Sequence, residues 1–421
     1  METLKLTALL FGSTLLLAPA AHAAMQSVAC NNNSGDSALI GAAVETLRTS
    51  SDLSSSLNLS GTCQLSLPIT IQNFANISIV GPANLTGAIV ACNATPAPGQ
   101  YAGPMLNIIG TRSVSVRSLN MSGGSGVFLQ DSSGSFLGVT IDHSRSEGLS
   151  IQGASTLGLV GATLTGPAPG TFVPTPNNIT NNCGNGINVG VGSTVSVSVL
   201  ATISGNGQAG VSVNGGGASL SGCCAGENVG SIVVENNRVG VSVGVIGGSA
   251  IVSGGSTCSG LTGTAAVRNN SDWGAVLAGA SFLGLSGKVT FESNQTAPTT
   301  PAALTYRAGI YANYGATVFV SPGAIIRSTV GGAGVLLDAQ SKLRLGALGP
   351  APAPPSPCVA PTYAHASITL NGDDGVRANH MSFVEILSTT SIAGNSGKYA
   401  KCDASSLLDG ITTGIGNNKC K

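Results

Sequence analysis

The stretch NGDDGVRANH, residues 371–380, puts two carboxylates side by side and a histidine six residues beyond the second. Asp373, Asp374 and His380 are the residue types that acid–base hydrolysis uses: one acid protonates a leaving oxygen, one base activates water. Arg377 stands between them and could neutralise a ligand carboxylate. A second group spreads over three successive repeat turns: Arg238, then Asp272 and Trp273, then Tyr306 and Arg307. Trp273 is the chain's single tryptophan. Rings that take the apolar face of a sugar, flanked by guanidinium forks that take carboxylates, would make a sugar platform. The plainer reading is a solvated turn row whose aromatics cover a loop. A third group, Tyr314, Asp338 and His380, ends the same strand in the last three complete repeats. Tyr311, Arg377, Arg344 and Glu385 occupy outward positions nearby. Arg344 and Glu385 match one repeat apart and read as a surface ion pair.

These residues meet only if the chain repeats, and it does. The phrase N-x-x-x-G followed by apolar–x–apolar reads NCGNGINV (182–189), NGQAGVSV (206–213), NNRVGVSV (236–243), NSDWGAVL (270–277) and NGDDGVRA (371–378). Variants without the asparagine are SGGSGVFL (122–129), SRSEGLSI (144–151), TYRAGIYA (305–312) and VGGAGVLL (330–337). A second alternating run follows each phrase, such as STVSV (193–197) and SKLRL (341–345), and a third short apolar segment leads to the next asparagine. Alternation of period two means strands with one buried face. Three short strands in roughly 22 residues, with no helical pattern between them, mean a solenoid. Stacking would bury a column of Val127/Leu129, Leu149/Ile151, Val211/Val213, Val241/Val243 and Val335/Leu337. The phrase glycine belongs where φ is positive or where backbones approach closely. The asparagines suit left-handed backbone and amide ladders between coils. The match of GNGQAG (205–210) to a nucleotide-binding loop lacks the strand–helix context that such a loop needs.

This pattern resembles the right-handed parallel β-helix repeat of the pectin-lyase-like superfamily, over about residues 57–400. The resemblance implies an all-β, single-stranded right-handed parallel β-helix of about eleven coils. Residues 24–56 would supply a short N-terminal capping helix, with Leu39, Ile40, Ala43, Val44 and Leu47 on one face and Asp36 or Ser37 as cap. Within the superfamily, GDDGV (372–376) is similar to the G-D-D-C segment of polygalacturonases. That likeness would make Asp373 and Asp374 the acids of a hydrolase. The chain departs from those enzymes at neighbouring coils, where it reads TVGGAG (329–334) and AGNSGK (393–398), and it has no R-I-K segment. A lyase or epimerase would instead need a base beside a uronate carboxylate neutralised by arginine or calcium. Arg377, Asp338, His380 and Tyr314 could be cast so, although no cage of clustered acids is visible for calcium.

Bulk composition narrows the classes. Charged residues are 8% and the formal net charge is +0, so nothing favours nucleic acid. The opening METLKLTALLFGSTLLLAPAAHA reads as a secretory signal peptide cut after Ala23, which implies a secreted or periplasmic protein. No later stretch is long and apolar enough for a membrane span. Ten cysteines behind an export signal imply disulfides. Cys402–Cys420 would close a C-terminal tail at 401–421, and Cys30–Cys63 would staple the cap. Cys223, Cys224, Cys258 and Cys358 ride in insertions, the largest at 346–365, with Cys183 beside the first; Cys92 is the remaining candidate. Acids are sparse and no complete family site is present. The expected function is therefore non-catalytic: a structural protein, or one that binds polysaccharide or a partner at the cell surface or in the periplasm. The alternative is a polysaccharide lyase, hydrolase or epimerase. Oligomeric state is left open.

Overall fold

Two turns in the central coils require left-handed backbone, and the sequence supplies residues that tolerate it. Before the phrase strand the left-handed residue is His143, Asn181, Gly205, Asn236 or Asn269 in successive coils. After it, the residue is Gly153, Gly192, Gly215, Gly247 or Gly279. The computed structural model describes residues 23–410, apart from 51, 166–170, 223–229, 245, 255–256, 259–260, 347–364 and 388–389, with the backbone alone at 163–165, 171–172, 257–258 and 261–262. Residues 1–22 of the predicted leader and Cys223, Cys224, Cys358 and Cys420 lie outside the described residues, as does the side chain of Cys258.

The phrase strands stack in parallel into a 12-stranded sheet, from Ile69–Gln72 to Ala400–Cys402. That is one more than the expected eleven or so: nine strands carry the phrase, and Ile69–Gln72, Leu106–Ile109 and Ala400–Cys402 do not. The other two faces form one 23-stranded sheet. They are joined because early strands such as Val114–Ser122 are long enough to cross the corner and pair with both Ser133–Leu137 and Thr140–Asp142. Right-twisted strands with parallel crossovers wind right-handed. The chain is a parallel β-helix. No helix among the described residues is long and apolar enough to cross a membrane.

The expected apolar column is the core. Val127, Leu129, Leu149, Ile151, Val211, Val213, Val241, Val243, Val335 and Leu337 are all buried. Of the two readings of the phrase glycine, close approach is the general one. Gly126 has positive φ, but a Cβ on Gly240 would lie 2.4 Å from the Gly274 carbonyl oxygen and 2.9 Å from Asn270 Nδ2. The asparagines do form a ladder. Asn182, Asn206, Asn237 and Asn270 each donate from Nδ2 to Oδ1 of the next coil's asparagine, ending at Asn294, over 2.9–3.3 Å. In the NNRVG coil the ladder residue is Asn237; Asn236 takes the left-handed turn instead.

The N-terminal helix, Asp36–Thr49, plugs the open end with Ile40, Ala43, Val44 and Leu47. Two expectations are corrected there. Leu39 is 52% exposed, since it points away from the coils. Neither Asp36 nor Ser37 caps the helix; Gly35 holds the cap position. Both side chains turn inward and fasten the helix to the first coils. Asp36 accepts from the N–H groups of Asn31, Asn33 and Gln64, and Ser37 Oγ accepts from that of Ser66. Burial works against the Asp36 charge, but those N–H groups outweigh it and hold the carboxyl below its ordinary range.

Cys30 is bonded to Cys63, as expected. Cys183 is bonded to Cys92, which tethers the 87–105 loop, so it does not staple the insertions that follow it in sequence. Cys402 is also disulfide-bonded. The backbone places the predicted insertions between second and third strands; short hairpins Ala162–Thr165/Thr171–Pro174 and Thr257–Cys258/Leu261–Thr262 form in two of them.

Candidate functional site

The last coils are where the outer surface changes character. From Gly153 to Gly279 the turn after the phrase strand is made by left-handed glycines. In the next three coils left-handed backbone falls on Tyr314 with Gly315, then Ala339 and Gln340, then His380 and Met381. These six residues line a groove of about 360 Å³. Tyr314 is 67% exposed and Met381 60%. The alternation of the strands put Tyr314, Asp338 and His380 in one row, and the fold brings Asp338 and His380 into contact. His380 Nδ1 meets Asp338 Oδ1, and the His380 backbone N–H donates to Asp403 Oδ2 at 2.6 Å.

The electrostatics follow from these contacts. The hydrogen bond and charge of Asp338 raise the pKa of His380 above the ordinary histidine value. Below that ordinary value the imidazole is charged whether folded or not, and the pair's contribution is complete. It fades as pH rises through the raised folded value. Replacement Asp338→Asn should therefore move the imidazole NMR titration of His380 to lower pH; an unmoved midpoint would show that the pair does not form. Burial opposes the charge on Asp403, yet the His380 N–H and the Ser405 and Ser406 hydroxyls hold its carboxyl far below the usual range. Burial, with the Asp338 charge adding, pushes the Tyr311 phenol well above its ordinary value.

At the other end of the same strand, Arg377 closes on both carboxylates of the opening motif. Its Nε lies 2.9 Å from Asp374 Oδ2, and its Nη2 reaches Asp373 as well. The remaining oxygen of the buried Asp374 accepts from the Lys398 N–H at 2.8 Å. Asp373 and Asp374 are thus parts of a turn clamped by Arg377. Arg377 in turn has its fork occupied by this chain's own acids. Arg344 and Glu385 are register partners, with Nε and Oε2 3.2 Å apart. Among the described residues no group of three or more His, Cys, Asp or Glu could hold a metal ion.

The aromatic row is corrected more sharply. Trp273 is 7% exposed and Asp272 is fully buried. A strap at 295–307, carrying the short helix Pro301–Thr305, lies over them. The indole Nε1 donates to the Tyr306 carbonyl at 2.9 Å. The ring stacks on Tyr311, centroids 5.9 Å apart, and Tyr311 stacks on Tyr306 at 5.0 Å. Asp272 Oδ1 accepts from the Thr299 N–H and hydroxyl at 2.5 and 2.9 Å. Trp273 is therefore the floor of a small second core with Ala303, Ala308 and Leu336, not an open platform. Arg238 and Arg307 remain exposed, and Tyr306 is half-buried. The strap was missed in the sequence. A threonine before a proline, as in Thr300-Pro301, is a helix-start signal that could have found it; Thr300 Oγ1 indeed accepts from the Ala303 N–H.

Fold and surface together define a disulfide-stapled parallel β-helix whose outer face turns ionisable and aromatic in its last coils. No protein-family model matches the chain, and no curated protein does. Among solved structures, the A-module of the Azotobacter vinelandii mannuronan C-5 epimerase AlgE6 is similar at 11% identity, with a TM-score of 0.47, over 90% of this chain and 96% of that one.

Proposed function

We propose that this protein is an exported β-helix that binds polysaccharide at the groove of its last coils without turning it over. The observation behind this reading is the left-handed backbone at Tyr314, Gln340, His380 and Met381. Non-glycine residues in that region are disfavoured, and the five coils just before use glycine at the same turn, so these side chains replace the easier residue where they line one groove. The exposed Tyr314 ring suits the apolar face of a sugar, and His380 and Gln340 suit its hydroxyls. The predicted leader and the disulfides support export.

A second reading has one specific observation in its favour. Asp338 holds Nδ1 of His380, which leaves Nε2 of a largely exposed imidazole to give or take a proton. A lyase or epimerase would use such a group. One experiment addresses both readings. The mature protein, Tyr314→Ala and His380→Ala would be incubated with acidic and neutral polysaccharides, following retention on immobilised glycan, new reducing ends and unsaturated products. Expected are saturable retention, a fall of about tenfold or more for Tyr314→Ala, unchanged melting temperature and no product. Product lost in His380→Ala would overturn the non-catalytic reading. Equal retention by wild type and Tyr314→Ala would remove the groove as the binding site.

A further inference from the structure

The strap has a second consequence, on its other side. Between it and the turns 236–238 and 269–271 lies a cleft of about 510 Å³, separate from the groove at Tyr314. We propose that this cleft is a second glycan subsite, that it takes an acidic sugar unit, and that Arg238 is its anion-binding group. The proposal does not require the Tyr314 groove to bind anything.

Polar groups around the cleft divide into those already paired and those left open. Most arginines along the later coils are paired one coil away or within a turn: Arg268 with Glu235 at 2.7 Å, Arg327 with Glu292 at 2.6 Å, Arg344 with Glu385 at 3.2 Å, and Arg377 with Asp373 and Asp374. Arg238 is different. Its Nε comes only within 3.7 Å of Asp272 Oδ2, and its Nη nitrogens make no hydrogen bond among the described residues. Asp272 is fully buried and is already held by Thr299 and Thr300. It can orient the guanidinium without consuming the fork. A planar fork left open at a cleft wall fits a carboxylate or a sulfate ester.

The rest of the lining suits a sugar ring. Asn236 and Asn269 sit at the left-handed position of successive coils, both exposed, with no side-chain hydrogen bond among the described residues. Strand stacking sets such neighbours about 4.8 Å apart, so two amides face hydroxyls at successive positions. Ser271 and Thr296 add hydroxyls from the floor and from the strap. Asp272 is buried, and its oxygens already accept from the Thr299 N–H and the Thr299 and Thr300 hydroxyls. The volume falls within the usual range of small-ligand pockets, roughly 300–1,000 Å³.

Trp273 makes a built-in probe, since it is the only tryptophan and the strap packs on it. The mature protein would be titrated with trigalacturonate and with neutral maltotriose, following tryptophan emission and heat. Expected is saturable binding of the acidic trimer alone, weakened about tenfold or more in Arg238→Gln, weakened also by salt, and unchanged in Tyr314→Ala. Arg238 is exposed, so Arg238→Gln should keep the wild-type melting temperature. No binding of trigalacturonate, or equal affinity in Arg238→Gln, would overturn the subsite. Binding lost in Tyr314→Ala and kept in Arg238→Gln would also overturn it, while leaving the groove reading intact.

Discussion

Trp273→Ala should loosen the strap and lower the melting temperature, with a loss of about 3–5 kcal/mol, the usual range for truncating a buried tryptophan. The indole fills the space between the strap and the phrase sheet, where Ala303, Ala308 and Tyr311 share one small core with it. The variant also leaves the Tyr306 carbonyl without its indole donor. Trp273→Phe would keep an aromatic floor and lose only that hydrogen bond and some area, so a smaller loss of about 1–2 kcal/mol is expected. Limited proteolysis should show faster cleavage within 295–307 in Trp273→Ala. A surface platform would behave in the opposite way: unchanged melting and proteolysis, with reduced glycan retention. That outcome would mean the strap does not cover the ring in solution.

Asn237→Ala should be nearly as damaging, for a different reason. Asn237 Oδ1 accepts from both the backbone N–H and Nδ2 of Asn206, at 3.0 and 2.9 Å. Its own Nδ2 donates to the Ile203 carbonyl at 3.1 Å and to Asn270 Oδ1 at 3.3 Å. All of these atoms are buried, and water cannot replace the lost amide without entering the core. Two stranded donors and a stranded acceptor, at about 1–3 kcal/mol each, give an expected loss of about 3–5 kcal/mol. Asn237→Thr should be milder, because the chain already places Thr329 in the ladder, where its N–H donates to Asn371 Oδ1 at 3.1 Å. Asn395→Ala, at the half-buried last rung, should cost least. Urea midpoints of the three variants would rank them. A midpoint for Asn237→Ala equal to that of Asn395→Ala would show that the ladder is not the continuous buried column described here.

How much of this was legible beforehand varies by residue. The apolar pairs of each phrase strand were read correctly as core, because alternation says which face of a strand a residue takes. The charge pair Arg344–Glu385 was read correctly because parallel register follows from the repeat itself. Asn237 was misread by one place, since Asn236 and Asn237 are adjacent and only the turn geometry says which goes inward. Leu39 was assigned to the buried helix face, but which part of that face meets the coils depends on how the helix is docked. Asp373 and Asp374 were legible as a repeat turn, whereas their clamp on Arg377 required side-chain direction across one strand.

By itself, then, the sequence determined the solenoid, its core column, its ladder and the coils in which ionisable residues collect. Each of these is periodic, and a period constrains every residue that obeys it. Only the tertiary structure decided what lies over the outward rows. Trp273 and Tyr314 both belong to outward rows of the repeat, yet one is roofed by the strap and the other stands in solvent. An insertion has no period, and its resting place is chosen by packing and hydrogen bonds such as those of Asp272 with Thr299. That choice moved the exposed aromatic from Trp273 to Tyr314, and it left Arg238 beside an open cleft.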